Sequence, residues 1–74
     1  MKLWFENAFG DMRIIAECKD WNEVYKKIDE FIQQNNEKKE HKFISYYKRE
    51  WFDTLTNKTK IDVGSWSEFF YVSE

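Results

Sequence analysis

The stretch from Trp21 to Ile32 limits the fold more than any other part of this chain. Trp21, Val24, Tyr25, Ile28, Phe31 and Ile32 recur at i, i+3, i+4, i+7, i+10 and i+11. That spacing gathers them on one stripe of an α-helix, while Lys26, Lys27, Asp29, Glu30, Gln33 and Gln34 take the opposite side. Asp20 is a suitable N-cap, and Glu23, three residues later, can reach back to the N–H of the cap. The helix is expected to stop between Gln34 and Asn36, ahead of a polar surface loop that runs to His41. A helix with one wide apolar stripe needs a flat apolar partner.

The rest of the chain has the pattern to supply it, because apolar residues alternate there with period two. Lys2 to Asn7 reads as a strand, with Leu3 and Phe5 on one side and Trp4 on the other. Ala8-Phe9-Gly10-Asp11 is a turn, since Gly10 can take a positive φ. A second strand follows from Met12 to Cys18, with Met12, Ile14, Ala16 and Cys18 alternating against Arg13, Ile15 and Glu17. From Lys42 to Phe52 the residues Phe43, Ser45, Tyr47, Arg49 and Trp51 alternate against Ile44, Tyr46, Lys48, Glu50 and Phe52. A turn around Asn57-Lys58 leads into Lys60 to Val63, and Gly64-Ser65-Trp66-Ser67 into a last strand from Glu68 to Ser73. The order ββαβββ predicts a single α+β domain over residues 1–74, with short turns joining neighbouring strands. Its architecture is a five-stranded antiparallel sheet with one helix packed on one face.

That helix can cover Leu3, Phe5, Ile14, Ala16, Ile44, Tyr46, Ile61, Val63, Phe70 and Val72. Cys18 is read as a small, half-buried strand residue rather than a reactive thiol. The other face keeps Trp4, Ile15, Tyr47, Trp51, Phe69 and Tyr71, with Trp66 at its rim. A solvated sheet face should be polar. Leaving these rings half open exposes on the order of several hundred Å² of apolar surface, the upper limit for a monomer. The surplus has three explanations: the sheet curls so that the rings cover one another, the face meets a protein, or it stacks nucleobases. If the face serves binding, cutting Trp51 or Tyr71 to alanine should leave the fold intact.

Composition narrows the chemistry. At 42% hydrophobic and 20% aromatic the chain is too apolar for a solvated coil. The net charge is -2, yet seven of the twelve Lys and Arg residues fall between 38 and 60, with three acidic residues among them. Lys42, Tyr47, Lys48, Arg49 and Trp51 interleave cations with rings, as a nucleic-acid strand would. Against that, the pI near 5.4 makes the overall field mildly repulsive to phosphate. His41 is the single histidine and Cys18 the single cysteine, so no disulfide, zinc site or His-based nucleophile is implied. Glu50, Asp53, Asp62 and Glu68 could meet across the last strands, but a two-layer fold of this size seldom supplies the cleft that acid–base work needs. No cofactor and no enzymatic activity are expected. No apolar run is long enough for a membrane span, and the first residues lack a signal-peptide core, so a cytoplasmic protein is expected.

The closing segment WFD…KIDVGSWSEFFYV, with the short leading hairpin and the single capped helix, resembles small uncharacterised proteins encoded in phages and prophages of low-GC Gram-positive bacteria. The resemblance covers about the last third of the chain and brings no catalytic residues with it. It implies an accessory protein that binds a host factor, as anti-defence inhibitors do, anti-CRISPRs among them. The expected function is therefore a non-enzymatic protein–protein interaction with a host protein or a second copy. Its contacts would be Trp4, Tyr47, Trp51, Trp66, Phe69 and Tyr71. The alternative is a small nucleic-acid-binding domain using residues 42–52.

Overall fold

A computed structural model of the chain describes residues 1–38, 49–65 and 67–74. Expectations that fall on His41, Lys42, Ile44, Tyr46, Tyr47, Lys48 and Trp66 lie outside the described residues. The elements are β1 (Lys2–Glu6), β2 (Met12–Glu17), α1 (Trp21–Lys38), β3 (Arg49–Asp53), β4 (Lys58–Asp62) and β5 (Phe69–Ser73). The five strands form one antiparallel sheet in the order β2-β1-β5-β4-β3, with α1 on one face. The fold is α+β, of ββαβββ order.

Strand neighbours differ from the expectation in one respect: β1 pairs with β5, which no short turn joins to it. Hydrophobicity accounts for the placement. Leu3, Phe5, Phe70 and Val72 of β1 and β5 are all buried, as is Ile61 of β4, so these three strands take the centre of the sheet and pack their inward residues against the helix stripe. Val24, Ile28 and Ile32 are fully buried beneath the helix against Leu3, Ile61, Val63 and Phe70. Phe31 closes the stripe on the rings of Phe5 at 4.5 Å and Phe70 at 5.5 Å.

The start of α1 follows the capping rule. Asp20 Oδ1 accepts the N–H of Glu23 at 2.9 Å, while its carbonyl accepts the first helical bond from Val24. Asp20→Ala should therefore cost about 1 kcal/mol, read as a shift in a denaturant midpoint; an unchanged midpoint would show that the cap contributes nothing. The far end runs past the expected stop, to Lys38. No Gly or Pro interrupts Gln33 to Lys38, and Gln, Glu and Lys, good helix formers, flank the two weaker asparagines.

Two core assignments are corrected. Ile14 was expected under the helix, yet it is 46% exposed, and Ile15 packs against the core instead. A β-bulge is the cause: Leu3 pairs with Ala16 but Trp4 with Ile14, so Ile15 is an extra residue and the alternation of β2 changes phase there. Cys18 is not half-buried but fully buried, just past the end of β2. Its N–H and carbonyl bond the carbonyl and amino terminus of Met1, and burial pushes its thiol pKa up.

Side chains shape the turns. Gly10 at φ +86° closes the first hairpin, where Asn7 Oδ1 accepts the N–H groups of Phe9 and Asp11. In the Thr54–Asn57 turn, Asn57 takes φ +58° and Asp53 accepts both the hydroxyl and the N–H of Thr56. These bonds hold the Asp53 carboxyl below its usual range.

Candidate functional site

Residues paired across antiparallel strands share a face, so the register maps the side away from the helix. Its middle row is Ile14, Trp4, Tyr71, Lys60 and Trp51. Glu6 and Phe69 pair in the row nearest the first hairpin turn, and Arg49 and Asp62 pair at the same level. Trp4, Trp51, Phe69 and Tyr71 thus lie on the predicted face. Tyr47 and Trp66 lie outside the described residues.

Burial then divides these rings. Trp51, on edge strand β3, is 38% exposed. Trp4 and Phe69 are half-buried. Tyr71 is only 2% exposed, and this corrects its reading as an open contact residue. Its hydroxyl donates to Glu6 Oε1 at 3.0 Å, and burial, reinforced by that carboxylate, pushes its phenol pKa well up. Trp4 is fixed in the same manner, its indole N–H donating to Ser73 Oγ at 2.9 Å.

What covers the rings is charge. The outward residues of β4 are Lys58, Lys60 and Asp62, and the long apolar stems of the two lysines can lie over rings while the ammonium stays near water. Lys58 Nζ stands 4.9 Å from the centre of the Trp4 ring. Lys60 Nζ stands 4.1 Å from Phe69, 5.5 Å from Tyr71 and 5.9 Å from Trp51. Arg49 lies over Trp51 at 5.2 Å and reaches Asp62 at 3.4 Å. Cation–ring contacts of this kind are each worth about 0.5–1 kcal/mol at open sites.

Arg49, Trp51, Lys60, Asp62, Ser65 and Phe69 line an open hollow of about 380 Å³ at one end of this face. Arg49 and Trp51 had been singled out from the sequence; Lys58 and Lys60 had not. A signal for them existed. Ile61 belongs to the helix side, so Lys60 and Asp62 beside it must face outward with Trp51.

On the helix side, Trp21 and Tyr25 lie with ring centres 5.9 Å apart, and the Tyr25 hydroxyl donates to the Glu50 carboxylate. Burial and that carboxylate raise the Tyr25 phenol to about 12. Glu50, Asp53 and Asp62, which could have met across the last strands, do not come together. Glu50 pairs beside Ile61 on the helix side, Asp62 faces outward to Arg49, and Asp53 is taken up by its turn. Among the described residues no group of three or more His, Cys, Asp or Glu is placed to hold a metal ion, and no helix is long and apolar enough to cross a membrane. Comparison of the chain with protein-family models, with curated proteins and with solved structures gave no match.

Proposed function

We propose that this chain is a non-enzymatic binding protein that engages a protein partner through the outer face of β3, β4 and β5. Trp51 carries the reading: a large ring left 38% exposed on an edge strand, beside two cations and an open hollow. Trp and Arg are the residues most enriched where protein interfaces draw their energy. Arg49, Trp51, Lys60 and Phe69 form the contact set, with Trp4 further along the face and Tyr71 supporting it from within. The resemblance of the closing segment to phage and prophage accessory proteins supports a host protein as partner and inhibition as the outcome, in the host cytoplasm. A second copy of the chain is the other protein that this face would suit.

The test is Trp51→Ala. A partly exposed edge-strand ring should cost about 1 kcal/mol of fold stability, whereas a ring at an interface centre should cost about 2 kcal/mol or more of association. A melt of the variant, run beside sedimentation and pull-down from host extract at matched concentration, separates the two. Unchanged association in a folded Trp51→Ala would remove the main support of this reading.

One observation favours a second reading. Arg49 and Trp51 sit together on one face, at the described end of the segment whose Lys42, Tyr47 and Lys48 suggest nucleic acid. The slope with salt decides between them: phosphate binding weakens with a power of the salt concentration set by the number of phosphates neutralised, and a protein contact built on rings with one or two ion pairs weakens far less.

A further inference from the structure

We infer that the hollow beside Trp51 receives the carboxylate of an Asp or Glu in an acidic segment of the partner protein, with Lys60 and Arg49 as its cationic contacts. This rests on the protein-binding reading above and adds the chemistry of the partner. Lys60 stands over three rings, at 4.1, 5.5 and 5.9 Å. Among the described residues no carboxylate lies within ion-pair distance of it. Ring quadrupoles balance such a charge only in part, and the three N–H donors of an ammonium ask for an acceptor.

Arg49 is similarly underused. It reaches Asp62 at 3.4 Å, long for a charge-assisted bond, and a guanidinium has five donors in all. Asp62 Oδ1 is itself engaged by the Gly64 N–H at 2.8 Å. On the rim, Ser65 Oγ accepts N–H groups from Ser67 and Glu68, which leaves its hydroxyl proton to donate.

The same distances count against a stacked base. Phe69 has Lys60 over it, and Trp51 has Arg49 on it with Lys60 nearby, so the rings act as seats for cations rather than free platforms. An approaching ligand meets ammonium and guanidinium first. A phosphate chain crossing the sheet would also pass Glu6 and Asp53, which repel it. A single carboxylate in the hollow meets only Asp62, whose charge the Gly64 N–H and Arg49 partly offset, and gains both cations at once.

A displayed library of random peptides, selected on the intact protein, tests the inference. Selected peptides should carry Asp or Glu, and their affinity should fall about tenfold or more for Lys60→Met and for Arg49→Gln. Lys60→Met keeps an apolar stem over the rings, and a melt checks its folding; Arg49→Gln, on an exposed edge residue, decides the matter if that variant unfolds. Peptides that lack acidic residues, need Trp51 and bind both charge variants like the parent would overturn the acidic-ligand inference and leave the protein-binding reading standing. Peptides indifferent to Trp51, Lys60 and Arg49 alike would overturn both. Oligothymidylate that binds more tightly than any selected peptide, with a salt slope of several neutralised phosphates, would overturn both in favour of nucleic acid.

Discussion

Phe70→Ala is expected to unfold this protein. Phe70 is fully buried on central strand β5, with the rings of Phe5 and Phe31 at 5.3 and 5.5 Å and Ile61 beside it in register. Truncating such a ring removes its transfer free energy and leaves a cavity that the sheet and helix cannot close, about 3–5 kcal/mol together. A domain of this length has a total stability of about 5 kcal/mol, so the variant should be largely unfolded before denaturant is added. Far-ultraviolet circular dichroism with a urea melt is the check. A cooperative melt near that of the parent would mean that α1 does not rest on β5.

The next residue along the chain is expected to behave almost identically, although it faces the opposite way. Tyr71→Ala should cost about 3–5 kcal/mol, contrary to what its place on the outer face suggests from sequence. The ring is 2% exposed and hydrogen-bonded to Glu6, so it is packed as a core residue. Tyr71→Phe isolates the hydroxyl and should cost about 1 kcal/mol. The phenol also predicts an alkaline limit. Folding raises the Tyr25 pKa from 10 to about 12 and the Tyr71 pKa likewise upward, so the folded state favours the neutral form. The stabilisation is complete below pH 10 and is lost as pH rises through the raised folded values. Stability should therefore fall above pH 10, less steeply in Tyr71→Phe; a flat profile would show that neither hydroxyl is held. A Tyr71→Ala protein melting like its parent would make the ring an open contact after all.

Most of the architecture was legible because two periods are cleanly separated in the chain. The helical stripe from Trp21 to Ile32 and the alternation in β1, β4 and β5 each fix which side chains turn inward. The failures have local causes. Ile14 and Ile15 are equally apolar, so nothing in MRIIAE marks the bulge that exchanges their faces; only the pairing with Leu3 and Trp4 does. The fate of Tyr71 was hidden for a different reason. Its burial depends on Lys60 and on Glu6 from another strand, and strand order is not written in periodicity. Face could be read, but depth could not. The candidate site was half visible: Arg49 and Trp51 stood out by composition, while Lys60 looked like an ordinary surface lysine until its three rings were assembled around it.

The pairing of β1 with β5 bears on how the chain reaches its native state. The two hairpins at the ends of the molecule, β1–β2 and β4–β5, can form from local contacts, but neither buries the helix stripe alone. They join only where residues such as Trp4 and Ser73, 69 positions apart, meet. Closing so wide a loop costs entropy before any contact repays it, which makes this protein a slower folder than a helical bundle of its size. Until closure, FFYVS is a strand of rings and β-branched carbon without a charge, open along one edge. The encounter that completes the sheet therefore competes with the same edge finding another chain, so the speed of that one closure sets how much protein escapes aggregation as concentration rises.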